Sequence, residues 1–208
     1  MFAGRPHRNA PYDLYTVTTR GRHLRRLTTF GADAPAPCAD GSIAFVHRGD
    51  VYLLSANGRH RYRRLTFTGA RAPSCSPDSR LIAFLSSPHR SYAGTPGDLY
   101  VISRTGGRLR RLTSHHDQHG YDPTGVVGAA AFSPGGGPIA VTDQQIPSPQ
   151  QQPPAPDAES FVRSTEYLEV VNLRGWRSGP SVHLGDNSFA GGFTTLGGVS
   201  WQPLPAQP

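Results

Sequence analysis

His115-His116-Asp117-Gln118-His119, with Asp122 beyond, gathers imidazoles and carboxylates in one short stretch. Such side chains ligate zinc or another transition ion when a loop curls around it. The spacing fits no defined metal motif, and the stretch follows an outer strand, where polar residues belong to any loop. The expectation is therefore no bound metal and no cofactor. A second chemistry is carried by paired arginines, Arg25-Arg26, Arg63-Arg64 and Arg110-Arg111. If the pairs fall at equivalent places they form a stripe that binds polyanions and releases counterions. The plain alternative is a solvated edge, and nucleic acid is not the expected partner.

Covalent catalysis finds little support. A serine hydrolase needs its nucleophile on a Gly-x-Ser-x-Gly elbow. Gly198-Val199-Ser200-Trp201-Gln202 supplies only the first half of one, just before Pro203. No Gly-x-x-x-x-Gly-Lys phosphate loop occurs, and Gly135-Gly136-Gly137 reads as turn chemistry. The expectation is a protein that is not an enzyme. Cys38 and Cys75 are too few for a disulfide framework. A bridge between them requires Cα atoms within about 7 Å; the expectation is two free thiols, with Cys75 serving as a small buried hydrophobe.

The elements that position these residues recur along the chain. Asp-apolar-Tyr stands at Asp13-Leu14-Tyr15, Asp50-Val51-Tyr52 and Asp98-Leu99-Tyr100, and Arg-Arg-Leu-Thr follows each, ending at Thr28, Thr66 and Thr113. Turn residues precede short apolar runs. Cys38-Ala39-Asp40-Gly41 leads into Ile43-Ala44-Phe45, Ser76-Pro77-Asp78-Ser79 into Leu81-Ile82-Ala83-Phe84, and Ser133-Pro134-Gly135-Gly136 into Ile139-Ala140-Val141. Pro77 pre-sets φ for a type I turn, and Asp78 favours the bend through its side-chain hydrogen bond. Runs such as Leu81–Leu85 suit strands buried on both faces. A period of about 40 residues with four short strands is the mark of propeller blades. The 208 residues, with 24 Gly, 20 Pro and 36% apolar residues, agree with many turns and little helix.

The balance of 21 Lys+Arg against 14 Asp+Glu gives +7, carried by arginine, a charge suited to an anionic partner or simply to a solvated surface. No apolar stretch is long enough to span a bilayer as a helix, and no signal peptide is visible. Gln144 to Glu159, rich in Pro and Gln, is expected to be an exposed or disordered loop, a proline-rich docking ligand being the sharper alternative.

Ser-Pro-Asp into Ile-Ala-Phe, then Asp-Leu-Tyr, then Arg-Arg-Leu-Thr, closely resembles the TolB-type β-propeller repeat. Trp201-Gln202-Pro203 is similar to the end of that family's last strand. The resemblance implies an all-β fold, a partial β-propeller of about four four-stranded antiparallel blades. It also implies a protein-binding disc, typically six-bladed and, in the Tol system, periplasmic and in contact with envelope lipoproteins. Related propellers cap the catalytic domain of prolyl-oligopeptidase-like serine peptidases. Here the blades fall at about 1–34, 35–68, 69–114 and 126–190, with a closing strand at 198–203. The first begins mid-blade, with Phe2 to Gly4 a poor second strand; the fourth, with strands at Tyr167–Val171 and Ser181–Leu184, lacks Arg-Arg-Leu-Thr.

Two function classes follow: a non-catalytic scaffold for a protein partner, extracytoplasmic by the resemblance, or the accessory propeller of a hydrolase whose catalytic domain lies elsewhere. The chain reads either as the C-terminal part of a larger propeller or as a small ring closed by its own ends. An open arc is the expectation, with self-association through its outer blade faces. If Val199–Trp201 paired with Phe2–Gly4, the ring would close on itself. Titrating the purified protein with zinc while following histidine resonances checks the metal reading; no saturable shift is expected near stoichiometric metal.

Overall fold

The run Leu81–Leu85 has no polar face, and its packing shows why it needs none. Ile82 and Phe84 join Ala44, Val51, Leu53 and Leu65 in one core. Ala83 and Leu85, facing the other way, join Leu99, Ile139 and Val141 in the next. Successive residues of a strand point to opposite faces, so a sheet sandwiched between two others is apolar at every position. The computed structural model describes residues 1–56, 61–67, 69–86, 97–114, 125–145, 162–174 and 182–189.

These residues form four antiparallel sheets. The first holds β1 (Phe2–Gly4), β2 (Asp13–Thr16) and β3 (Arg25–Arg26). The second holds β4 (Asp33–Pro37), β5 (Ile43–His47), β6 (Asp50–Leu54) and β7 (Tyr62–Arg64). The third holds β8 (Ala70–Cys75), β9 (Leu81–Ser86), β10 (Asp98–Ser103) and β11 (Arg110–Arg111). The fourth holds β12 (Gly125–Phe132), β13 (Ile139–Gln145), β14 (Val162–Val171) and β15 (Val182–Phe189). Each sheet is a meander of neighbours in sequence, and the described residues contain no helix.

The first strands of successive sheets converge, β4 beside β8 and β8 beside β12, so the sheets fan from a shared hub as propeller blades do. Crowding at the hub bends these strands: the ladder slips between Asp33 and Ala36, between Arg71 and Ser74, and between Val127 and Ala131. Ala34 and Ala72 take left-handed φ values of 46° and 49° at the first two slips. Within each of the first three sheets an aromatic pair faces across the ladder. Phe2 stacks on Tyr15, Phe45 on Tyr52 and Phe84 on Tyr100, with ring centroids 5.6, 5.7 and 5.6 Å apart. Each such pair adds about 0.5–1.5 kcal/mol beyond its buried area. In the fourth sheet that register place is Val141 opposite Glu169.

The two ends of the sheets differ. At one end sit tight turns in which Gly41, Ser79 and Gly136 N–H groups donate to the carbonyls of Cys38, Ser76 and Ser133 at 3.0, 2.8 and 2.8 Å. Asp78 Oδ1 accepts from Ser76 Oγ at 2.6 Å and from the Arg80 N–H at 3.0 Å, which fixes the Ser-Pro-Asp-Ser bend. Here sheets two and three are latched. The Asp40 N–H donates to Ser79 Oγ at 3.1 Å, Arg104 ion-pairs with Asp40 at 2.5 Å, and Arg63 donates to the Arg104 carbonyl at 2.5 Å. At the other end β9 finishes and β10 begins, so the 87–96 connection departs there. By the same register the 115–124 and 146–161 connections depart from that end too.

Several expectations are corrected. Cys38 and Cys75 are not free thiols: they form a disulfide with Cα atoms 5.3 Å apart. Convergence at the hub brings the ends of β4 and β8 within bridging distance, which spacing in sequence does not convey. Gln144 and Gln145 are not loop; they close β13, because the long β14 offers them Glu166 and Thr165 as partners. Phe2–Gly4 is a regular strand, aligned with Tyr15, Leu14 and Asp13. The closing strand Val199–Trp201 lies outside the described residues.

The bridge spans 37 residues of sequence, for which chain-entropy reasoning gives about 3–4 kcal/mol. Replacing both cysteines by serine is expected to lower urea-unfolding stability by that order. Reductant should do the same to the wild type, and a wild type indifferent to reductant would refute the bridge.

Candidate functional site

The Asp-apolar-Tyr and Arg-Arg-Leu-Thr elements meet because β2, β6 and β10 pair antiparallel with the outermost strands β3, β7 and β11. In the first sheet Thr28 Oγ1 donates to Asp13 Oδ1 at 2.9 Å and accepts the Leu14 N–H at 2.9 Å. Arg26 closes the unit, ion-paired to Asp13 Oδ2 at 2.5 Å, with its Nε donating to the Thr28 carbonyl at 2.9 Å. The second sheet repeats this with Asp50, Thr66 and Arg64. The third repeats it with Asp98, Thr113 and Arg111.

Asp13 is fully buried. Burial pushes its carboxyl up, but the Arg26 and Thr28 hydrogen bonds, the Gly31 N–H and the Arg26 charge outweigh that and hold it below the usual carboxylate range. The carboxylate is thus an internal clasp, fixing where each outermost strand begins.

Of the paired arginines proposed for anions, Arg26, Arg64 and Arg111 are therefore already committed to carboxylates. Arg25, Arg63 and Arg110 are exposed on β3, β7 and β11. Each follows an exposed apolar residue: Leu24, Tyr62 and Leu109 are 64, 49 and 48% accessible. This apolar-Arg repeat along the outer edge was present in the sequence, one residue ahead of each Arg-Arg pair. His115, His116, Asp117, His119 and Asp122 lie outside the described residues, as does Gly198–Gln202. Among the described residues no cluster of three or more His, Cys, Asp or Glu is arranged to hold a metal. No helix of the described residues is long and apolar enough to cross a membrane.

Sheets fanned about a hub and outer strands clasped by the Asp-Thr-Arg unit define a β-propeller. In three dimensions the chain is similar to a protein assigned as TolB in Agrobacterium tumefaciens, at 18% identity and a TM-score of 0.59, over 85% of this chain and 57% of that one. TolB of Acinetobacter baumannii matches at 17% identity and a TM-score of 0.57, over 83% of this chain and 38% of that one. The tricorn protease matches at 12% identity and a TM-score of 0.50, over 83% of this chain and 18% of that one. The fold is TolB-like, and the chain spans 57% and 38% of the length of the two TolB structures. No family model and no curated protein sequence matches it.

A depressed carboxyl contributes stability above its unfolded pKa of about 3.9 and loses it as pH falls through the lower folded value. Wild-type stability, measured by urea unfolding, should therefore fall below about pH 4, and Asp13→Asn should flatten that acid limb. Thr28→Val leaves the buried Leu14 N–H without its acceptor and should cost about 1–3 kcal/mol at pH 7.

Proposed function

We propose that this chain is a non-catalytic propeller scaffold that binds a protein partner on the end from which its long connections emerge. The observation carrying this reading is the asymmetry of the two ends. Tight, hydrogen-bonded turns and the Arg104–Asp40 latch mark one end, which also carries the 172–181 connection, while connections 87–96, 115–124 and 146–161, three of the longer ones, leave from the other. Recognition is commonly carried on loops held by a rigid scaffold, and the likeness to TolB supports a disc of that kind. The Cys38–Cys75 bridge favours an oxidising compartment, consistent with work outside the cytosol.

A second reading, the accessory propeller of a hydrolase, is favoured by the match to the tricorn protease, of which this chain corresponds to 18%. A third, polyanion binding, draws on the exposed Arg25, Arg63 and Arg110 of the outer strands.

Immobilised protein can be presented with fractions of its source cell in three forms: wild type, a variant with 146–161 replaced by a short Gly-Ser link, and a variant with Arg25, Arg63 and Arg110 changed to Gln. The scaffold reading expects one protein retained by the wild type and the arginine variant but lost from the loop variant. Retention lost only from the arginine variant, with nucleic acid bound in a salt-dependent way, would replace it by the polyanion reading. A retained hydrolase whose activity changes on binding would favour the second.

A further inference from the structure

The seam between the first two sheets carries aromatic side chains that the rest of the repeat does without. Phe30, in the link from β3 to β4, packs on Tyr62 of β7 with ring centroids 4.6 Å apart, and edge-on against His47 of β5 at 5.0 Å. His47 meets Tyr52 at 5.4 Å and Tyr52 meets Tyr62 at 6.1 Å, which closes the group. Tyr52 stands opposite Arg64 in the ladder, and the Arg64 guanidinium lies over the Phe67 ring at 4.1 Å. The rings thus run on from Phe30 to Phe67 along the outer part of the second sheet. His47 pairs with Asp50 as Ser86 pairs with Asp98, so the group reaches the end from which the 87–96 connection departs.

The other blades show what the fold needs at these places. Aligned on Arg-Arg-Leu-Thr, Phe30 corresponds to Thr68, Tyr62 to Leu24 and Leu109, and Phe67 to Thr29 and Ser114. Aligned on Ile-Ala-Phe, His47 corresponds to Ser86. The seam between the second and third sheets builds its core from Val51, Leu53, Ile82 and Phe84 without such residues, so packing between blades does not require them. Nor are the outer rings hidden, with Phe67 74% and Tyr62 49% accessible. Exposed aromatic rings beside arginine are the composition of protein-interface hot spots.

The border of the patch is basic. Arg48 and Arg61, next in sequence to His47 and Tyr62, are exposed. The acids of the second sheet give no counterweight: Asp50 holds Arg64, Asp40 holds Arg104, and Asp33 lies on β4, at the opposite edge of the sheet from β7. A nucleic-acid strand needs a row of free cations to follow its phosphates. Here Arg64 is bound to Asp50, and Arg63 turns toward the third sheet to reach the Arg104 carbonyl. A surface of rings with a few free charges at its rim suits an acidic protein segment instead.

We infer that this patch, centred on Tyr62 and Phe67, is where the partner docks an acidic segment, its aromatic or aliphatic side chains seated on the rings and its Asp or Glu facing Arg48 and Arg61. The docking role rests on the scaffold reading for the existence of a partner, and adds its place and its chemistry.

The test selects a random twelve-residue peptide library, displayed on phage, against the whole immobilised chain. Wild type is compared with Tyr62→Leu/Phe67→Ser, which installs the third sheet's own residues. Wild type is expected to enrich peptides that combine Asp or Glu with aromatic or aliphatic residues. A synthetic peptide of the enriched sequence should bind the double variant at least about tenfold more weakly, as loss of hot-spot side chains does. Arg48→Gln/Arg61→Gln should also weaken it and flatten its salt dependence. Since the third sheet folds with Leu and Ser at these places, the double variant should keep its urea midpoint; a large loss of stability would make the rings structural and overturn the proposal. Enrichment of no peptide, or of basic or uncharged ones, would overturn it as well. So would equal binding by both proteins, or salt-dependent retention of oligo(dT) that the same substitutions abolish. In the capture experiment, a protein retained equally by the double variant would remove the patch and leave the scaffold. Peptides bound at the patch with no protein retained would remove the scaffold and leave a peptide-binding surface.

Discussion

The second and third sheets of this protein are apolar on both faces, and that demand governs the rest. Ile82 and Phe84 need sheet two, Ala83 and Leu85 need sheet four, and neither core forms without its neighbour. Stability therefore resides between sheets as much as within them. The devices that hold sheets at a fixed angle follow from this: bulged hub strands, the Cys38–Cys75 bridge, and the contact of Arg104 with both Asp40 and Arg63. All act on the boundary between adjacent units, where a shift of a few ångström would open two apolar faces to water.

Charge is handled in three different ways. Asp13, Asp50 and Asp98 are buried and matched, each by an arginine and a threonine, so their chemistry is spent on shape. Arg25, Arg63 and Arg110 face water on the outermost strands. Arg71, half-buried on β8, has one enclosed guanidinium nitrogen with no hydrogen-bond partner among the described residues. Position in the repeat, more than residue type, decides which role an arginine takes.

The architecture was legible because the propeller writes its period into the chain. Ser76-Pro77-Asp78-Ser79 could be read as a turn from residue chemistry alone, and Leu81–Leu85 as a doubly buried strand from its unbroken apolarity. The Asp, Arg and Thr of each repeat were visible too, but as markers. Their union depends on the pairing of β2 with β3 and its counterparts, which spacing alone does not assign. The disulfide was illegible for a related reason, since it depends on how closely two hub strands approach. Gln144 and Gln145 were misread because composition reports what a segment prefers, whereas a strand ends where its partner β14 stops offering hydrogen bonds. Arg71 looks in sequence like any other surface arginine.

The outermost strands of the first three sheets carry one more consequence. β3 and β11 are two residues long and β7 is three, and each is built of, or ends in, paired arginines. An open sheet edge is a template on which another chain can add a strand, and growth of that kind leads to aggregates. Two or three residues offer too few backbone groups to seed such growth, and like charges repel a second copy brought alongside. Short edges lined with positive charge are thus poor templates for strand addition, a property that matters most where an edge is exposed before its neighbours have formed.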